Sequence, residues 1–370
     1  MIRLIALILF GSISAFPVCA ESPNFAAIDT AVNQAIGRGE LPGAVVLVLH
    51  EGKVAYRRAF GLRAKQPAEE KMTADTIFDL ASLTKPIATA TSTFVLLEQG
   101  NLKLDDPIAK HWPAFAANGK EKVTIEQCLL HISGLTADNP LADYEGGKEK
   151  ALERIAALPL QAPPGSRFRY SDVGFIVLGH VVELVSGKPL DEFARKSIFE
   201  PLGLRDTAFR PVFPAERFAP TTKEDGKWLR GVVHDPRARK LDGVAGHAGL
   251  FSTADDLAIF CRMLLDGGKP VLKPETFKLL TEPCSIPAGK RTRGWDCDTS
   301  FSSNRGSIFP KGKSFGHTGF TGTSIWIDPA SRTAVIFLSN RVHPDGKGNV
   351  TKLRGKVATE AAVALGLGPP

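Results

Sequence analysis

Ser82 and Lys85 stand three residues apart in Phe78-Asp79-Leu80-Ala81-Ser82-Leu83-Thr84-Lys85. The stretch that follows, Pro86 to Glu98, carries helix formers and a repeating apolar face. On a helix, residues three apart share one face, so a hydroxyl and an amine would meet there. Serine is a weak nucleophile until a base takes its proton. Lysine can be that base only when neutral, and burial favours the neutral form. Phe78, Leu80, Leu83 and Ile87 would supply an apolar surround.

Two more stretches could complete such a site. In Arg169-Tyr170-Ser171-Asp172-Val173-Gly174, the Tyr170 hydroxyl beside a lysine could shuttle protons. Asp172 could hold Lys85 or a substrate amide, while Ser171 or Asp172 is also a good helix N-cap. In Gly316-His317-Thr318-Gly319-Phe320-Thr321-Gly322, three glycines let a backbone approach a ligand closely. That stretch precedes a β-rich end of the chain, so it is expected on or beside an edge strand able to pair with an extended substrate.

Taken together, the three stretches resemble the serine β-lactamase-like, penicillin-recognising hydrolases, and more closely their class C branch, which also holds D-alanyl-D-alanine carboxypeptidases and esterases. Ser82-Leu83-Thr84-Lys85 matches the first motif, Tyr170-Ser171-Asp172 the Tyr-x-Asn motif, and His317-Thr318-Gly319 the Lys-Thr-Gly-like strand. Leu130-His131-Ile132-Ser133-Gly134-Leu135 and Gly246-His247-Ala248-Gly249-Leu250-Phe251-Ser252 are similar to the branch as well. The resemblance runs from about Ile28 to Val363. It implies Ser82 as acylated nucleophile, Lys85 as its base or as the cation that tunes Tyr170, and Tyr170 as proton relay. It implies an oxyanion hole from the Ser82 N–H and that of Phe320 or Thr321. Asp172, His317, Thr318, Gly319 and Phe320 would contact substrate.

Two positions depart from the pattern. Asp172 replaces the usual asparagine, and an ionised carboxylate only accepts hydrogen bonds. A link to Lys85 gains by this and a substrate-amide contact loses. His317 stands where many members carry lysine, so recognition of a substrate carboxylate is expected to be weaker or pH-dependent. Glu200-Pro201 belongs to the branch's own Pro-Leu-Gly-Leu pattern and reads as structural. His234-Asp235 and His247 lack compact metal-ligand spacing, and no Gly-x-Ser-x-Gly occurs. No metal or cofactor is expected.

The elements that must position these residues follow from periodicity. A first helix is expected over Phe25 to Arg38, then a hairpin of Ala44 to His50 and Lys53 to Phe60 turning at Glu51-Gly52. The Ser82 helix should end at Gly100. From about 105 to 240 the chain reads as a mostly helical insert, with helices at Thr124–His131, Lys148–Leu158 and Val173–Ser186. Strands return at Thr323–Ile327 and Thr333–Leu338, and Lys352–Leu365 closes the chain as a helix. The expected fold is α+β: one antiparallel sheet built from both chain ends and flanked by helices, with the helical subdomain inserted. Residues 21–370 read as one hydrolase domain.

Met1 to Ala20, with Arg3, an apolar run and Val18-Cys19-Ala20, reads as a secretory signal peptide cleaved after Ala20. The protein is therefore expected to be secreted or periplasmic, with no integral membrane segment after cleavage. The 46 basic and 39 acidic residues give a formal charge of +7. That excess is modest for 370 residues and forms no basic run of the kind that marks a nucleic-acid site. Cys128, Cys261, Cys284 and Cys297 allow three pairings, with Cys284–Cys297 a plausible bridge. The expected partner is a small-molecule or peptidoglycan-derived substrate: a D-amino-acid peptide, a β-lactam or a simple ester. The alternative is a non-hydrolysing penicillin-binding or sensor protein on the same fold.

Overall fold

The computed structural model describes residues 23–368. The expected signal peptide lies outside them. The main sheet has nine strands, and its central pairing joins the two ends of the chain. Strands β1 (Gly43–His50) and β2 (Lys53–Ala64) form the first hairpin. Its turn residues, Glu51 at φ 49° and Gly52 at φ 73°, both take the left-handed conformation that a two-residue hairpin turn needs. After β3 (Glu70–Lys71), the chain leaves this sheet and returns as β7 (Cys284–Ile286), β8 (Gly289–Arg291), β9 (Asp296–Asp298), β10 (Phe315–Thr318), β11 (Ser324–Asp328) and β12 (Thr333–Ser339). The spatial order is β3-β2-β1-β12-β11-β10-β9-β8-β7, antiparallel throughout.

The apolar runs of β1 and β12 have no polar alternation because both faces are covered. Val45, Leu47 and Leu49 face the larger core, with Ile336 and Leu338 beside them. Ala44, Val46 and Val48 face the opposite way, with Val335 and Phe337. On that second face lie α1 (Ala26–Gly37) and, at the chain's other end, α5 (Thr351–Ala364), packed through Ile28, Val32, Leu353 and Val357. The expected α+β architecture is the one found.

Between β3 and β7 lie α2 (Thr91–Glu98), α3 (Asp172–Ser186), α4 (Ala254–Leu265) and shorter helices. A small antiparallel sheet of β4 (Phe78–Asp79), β6 (Leu250–Ser252) and β5 (Ala208–Phe209) sits among them, in the order β4-β6-β5. Among the described residues no single helix is long and apolar enough to cross a membrane.

Three features differ from expectation. Strands β7 to β10 have only three or four residues each, and so short a segment carries little periodicity to read. The helix after Ser82 is not uniform: Lys85–Ala90 is wound as a π-helix before α2 begins. Pro86 brings no N–H, and its carbonyl is taken by the Thr91 hydroxyl at 2.9 Å. Finally, Cys284 and Cys297 are both free. They lie on β7 and β9 with β8 between them. Two strand spacings, about 9–10 Å, exceed the span of a disulfide.

Phe337 is 1 % exposed on the central strand. Phe337→Ala should reduce the free energy of unfolding by about 3–5 kcal/mol, measured by urea denaturation with an unchanged m-value.

Candidate active site

Ser82 sits on a single 3₁₀ turn, Ala81–Leu83, that follows β4 directly. Ala81 holds φ at 47°, a strained conformation for a residue with a Cβ. Its N–H donates to Asp79 Oδ1 at 2.8 Å, and Asp79 Oδ2 accepts the His234 N–H at 2.6 Å. Burial raises the Asp79 carboxyl to about 6 against the pull of these two donors. Two hydroxyls from beyond β10 fasten the same backbone: Thr321 Oγ1 donates to the Asp79 carbonyl at 2.7 Å and Thr323 Oγ1 to that of Leu80 at 3.0 Å. Gly319 lies so close that an added Cβ would fall 2.4 Å from the Leu80 oxygen. Only glycine lets the end of β10 reach the nucleophile turn. Arg354 Nη2 and Arg341 Nε donate to the carbonyls of Gly319 (2.6 Å) and Phe320 (2.8 Å), and so fix this strand end from behind.

Lys85 opens the π-helix that follows this turn, and its Nζ lies 2.9 Å from Ser82 Oγ. It also donates to the His247 carbonyl at 3.1 Å. Asp172 Oδ1 is 2.7 Å away, an ion pair rather than an aligned hydrogen bond. Lys85 is fully buried, yet its pKa is raised. Burial works against the ammonium, but the charge of Asp172, then Tyr170, outweighs it. Of the two states the sequence left open for Lys85, neutral base or cation, the carboxylate favours the cation and reverses the effect of the apolar surround. Burial likewise works against the Asp172 anion, and Lys85 and His247 overcome it and push its pKa down. Asp172 opens α3, where the Ser171 hydroxyl caps the Gly174 N–H at 2.9 Å and the helix N-terminus favours a negative charge.

Tyr170 lies with its ring 4.9 Å from the Lys85 ammonium. It is stacked between His131 (4.4 Å, 30°) and Phe301 (5.2 Å, 25°), with His317 at 6.0 Å. His131 Nδ1 accepts the Ser171 N–H at 3.0 Å, so that nitrogen carries no proton. Burial, with the charges of Arg291 and Lys85, holds this imidazole neutral.

A cavity of about 170 Å³ opens onto Ser82, lined also by Tyr170, Arg291, Asp296, Phe301, His317, Thr318 and Phe320. Five residues expected at the site therefore meet here. Gly319 forms the strand end beside them, and Asp172 sits behind, on Lys85. Two larger cavities do not include Ser82: one of about 420 Å³ lies apart, and one of about 430 Å³ adjoins the site through Thr318, Gly319 and Phe320. His317 Nδ1 lies 2.9 Å from the Thr318 carbonyl and so carries the proton. Burial, Arg291 and Lys85 push its pKa well below the ordinary histidine value. The expected pH-dependent charge at His317 is thus absent near neutrality.

Arg291, which the sequence reading missed, supplies a cation instead. It is fully buried, with Nη1 paired to Asp296 Oδ1 at 2.8 Å. Its Nε and Nη2 have no partner. Asp296 is further satisfied by the hydroxyls of Thr299 and Ser302. Nothing in Lys290-Arg291-Thr292 signals this role in the sequence; the arginine reaches the site because β8 pairs with β9.

Asp172, Asp235 and His247 place one ligand atom each within 4.8 Å of one another, a spacing a metal could use. Here the Lys85 ammonium already pairs with Asp172. Asp235 Oδ1 is taken by His247 Nε2 at 2.9 Å and by the Ala238 N–H at 2.8 Å. Both carboxylates thus already have partners within the protein, while His247 Nδ1 is buried without one.

Comparison with known proteins extends these findings. The family profile described as Beta-lactamase matches residues 28–359. A protein of Escherichia coli (strain K12) named "Putative D-alanyl-D-alanine carboxypeptidase" is 33% identical over 363 residues, covering 85% of this chain and 82% of its own. An N-acetylmuramyl-L-alanine amidase of Bacillus subtilis (strain 168) is 32% identical over 365 residues, covering 85% and 80%. Among solved structures, EstCE1, a hydrolase with promiscuous acyltransferase activity, superposes with a TM-score of 0.74 at 26% identity, covering 91% of this chain and 97% of its own.

Asp172→Asn removes the charge that opposes burial at Lys85. The lysine pKa should then fall, since desolvation acts with less opposition. A pH titration of the Lys85 Nζ resonance checks this, and an unchanged titration would exclude Asp172 as the source of the raised value.

Proposed function

This chain belongs to the beta-lactamase family, and from that premise we propose that it is an exported serine hydrolase. It would work through an acyl-enzyme on Ser82, with a peptide ending in a free carboxylate, of the D-alanyl-D-alanine type, as its preferred substrate. Ser82 Oγ attacks the scissile carbonyl. Lys85 already holds its proton, so the proton of Ser82 passes to Tyr170 acting as its phenolate, which the neighbouring ammonium stabilises until that proton arrives. The N–H groups of Ser82 and of Phe320 or Thr321 receive the oxyanion. Tyr170 returns the proton to the leaving amine, then takes one from the attacking water and hands it to Ser82 Oγ as the acyl group departs. Asp172 keeps Lys85 charged through the cycle.

The observation that carries the substrate class is Arg291. A buried guanidinium with two unpartnered nitrogens is costly unless something completes it. It lines the same cavity as Ser82 and Tyr170. A substrate carboxylate there would accept charge-assisted bonds, with the Thr318 hydroxyl within the same cavity to assist. His317, held neutral, serves as wall and donor rather than as the carboxylate's counter-ion. Export with cleavage after Ala20 suits a cell-wall peptide as substrate and is part of the same proposal.

Ser82→Ala should abolish hydrolysis and any covalent adduct, followed by intact-mass spectrometry with a penicillin, a D-Ala-D-Ala peptide and a p-nitrophenyl ester. An adduct that forms on wild type and never turns over would instead make the protein a penicillin-binding sensor. Arg291→Gln should lower the ratio of kcat/KM for the carboxylate peptide to that for the neutral ester by about tenfold to a hundredfold. In wild type this ratio should stay flat from pH ~5.5 to ~8, because a guanidinium keeps its charge there and His317 titrates lower. A ratio that rises as pH falls would return the carboxylate to His317.

A further inference from the structure

Two side chains with no part in the proposed reaction, Asp235 and His247, stand directly behind Lys85. The His247 ring is 1 % exposed. Its Nε2 meets Asp235 Oδ1 at 2.9 Å, while its own backbone carbonyl accepts from Lys85 Nζ at 3.1 Å. We propose that Asp235 and His247 are positioning residues for the Ser82–Lys85 pair. The carboxylate fixes the imidazole, and the imidazole fixes the carbonyl that holds the ammonium between Ser82 and Asp172.

The need for such a hold follows from the partners of Lys85. A charge-assisted bond is roughly twice as strong as one to a neutral acceptor. Asp172 alone would therefore draw the ammonium away from the Ser82 hydroxyl. The His247 carbonyl is a second acceptor for the same ammonium, and it must stay put to compete. It lies in Gly246-His247-Ala248-Gly249, a backbone with wide conformational freedom. Gly246 is tied by the Thr89 hydroxyl at 2.7 Å, and the His247 ring is the next anchor. Asp235, which receives that ring, caps the helix Pro236–Lys240 through the Ala238 N–H. The N–H of the preceding residue, His234, is bonded to Asp79, the carboxyl that also holds the Ala81 N–H. The nucleophile and the acceptor of its lysine are thus referred to one buried group.

The same residues act on Asp172 by charge. Asp235 disfavours its ionised form and His247 favours it. The other charged or titratable groups facing this cluster are Lys85 and Tyr170 on the cavity side, and Asp138, paired with Arg237 at 2.7 Å, on the loop side. Arg291, His131 and His317 lie beyond Tyr170. All of them are kept in both variants below.

Asp235 and His247 can matter in this way only if Ser82 and Lys85 act as proposed; Ser82→Ala tests that reading separately, by loss of the adduct. The experiment compares pH profiles of kcat/KM for one neutral ester in wild type, Asp235→Asn and His247→Gln, with thermal unfolding to verify that each variant folds. Removing a negative charge makes the remaining carboxylate easier to ionise. The acid limb should therefore move to lower pH in Asp235→Asn, by about half to one unit. In His247→Gln it should move to higher pH. Both variants should lower kcat about tenfold with little change in KM, since the lysine is less well aimed. A purely structural role would lower the rate at every pH and leave the limb where it was. Limbs that stay fixed, or that move in the same direction in both variants, would overturn the proposal. Should Asp235→Asn not fold, His247→Gln decides alone: an upward shift supports the proposal and an unmoved limb overturns it.

Discussion

The Lys85 ammonium is the constraint on which the site depends. Its three contacts come from three separate parts of the chain: the nucleophile turn, the start of α3, and the Gly246–Gly249 loop. A buried lysine left to itself would shed its proton. The Asp172 carboxylate at 2.7 Å, followed by Tyr170, reverses that preference. The charge in turn sets the chemistry, because a lysine that keeps its proton stabilises an anion next to it instead of abstracting a proton itself. The replacement of asparagine by Asp172 therefore changes the electrostatic state of the site more than its shape.

Around this cation the structure spends several unfavourable conformations. Ala81 is left-handed, Lys85–Ala90 is over-wide as a helix, and Arg291 is buried with open valences. Each is adjacent to Ser82 or its cavity. Ala81 is held through Asp79 on β4, whose backbone Thr321 and Thr323 fasten together with that of Leu80, and Arg291 is held by Asp296 on β9. Strain at the site is thus balanced by order in the scaffold.

Much of this was legible in the sequence, and what was not has identifiable causes. Long apolar runs marked β1 and β12, and Ser171 marked the start of α3, because each is a local pattern. Ser82, Lys85 and Tyr170 were readable as a set because each lies in a short local motif, and the fold brings the three together. Arg291 was not, since its importance comes from burial and from the pairing of β8 with β9, both long-range properties. The neutrality of His317 was invisible for the same reason: it follows from Arg291 and Lys85 standing nearby. The charge of Lys85 stayed open between base and cation, because its apolar neighbours in sequence favour one state and Asp172, far away in sequence, favours the other.

The pairing of β1 with β12 has a consequence for how the molecule is made. These two strands join residue 44 to residue 339. Neither can bury both faces until almost the whole chain has been synthesised, and contacts so distant in sequence form slowly. A nascent chain of this topology leaves the ribosome with its first strand unpaired and its edges open to other chains. The central sheet therefore closes only after residue 339 has left the ribosome. Until then the molecule depends on whatever keeps an unfinished β-sheet from aggregating, and it remains threadable.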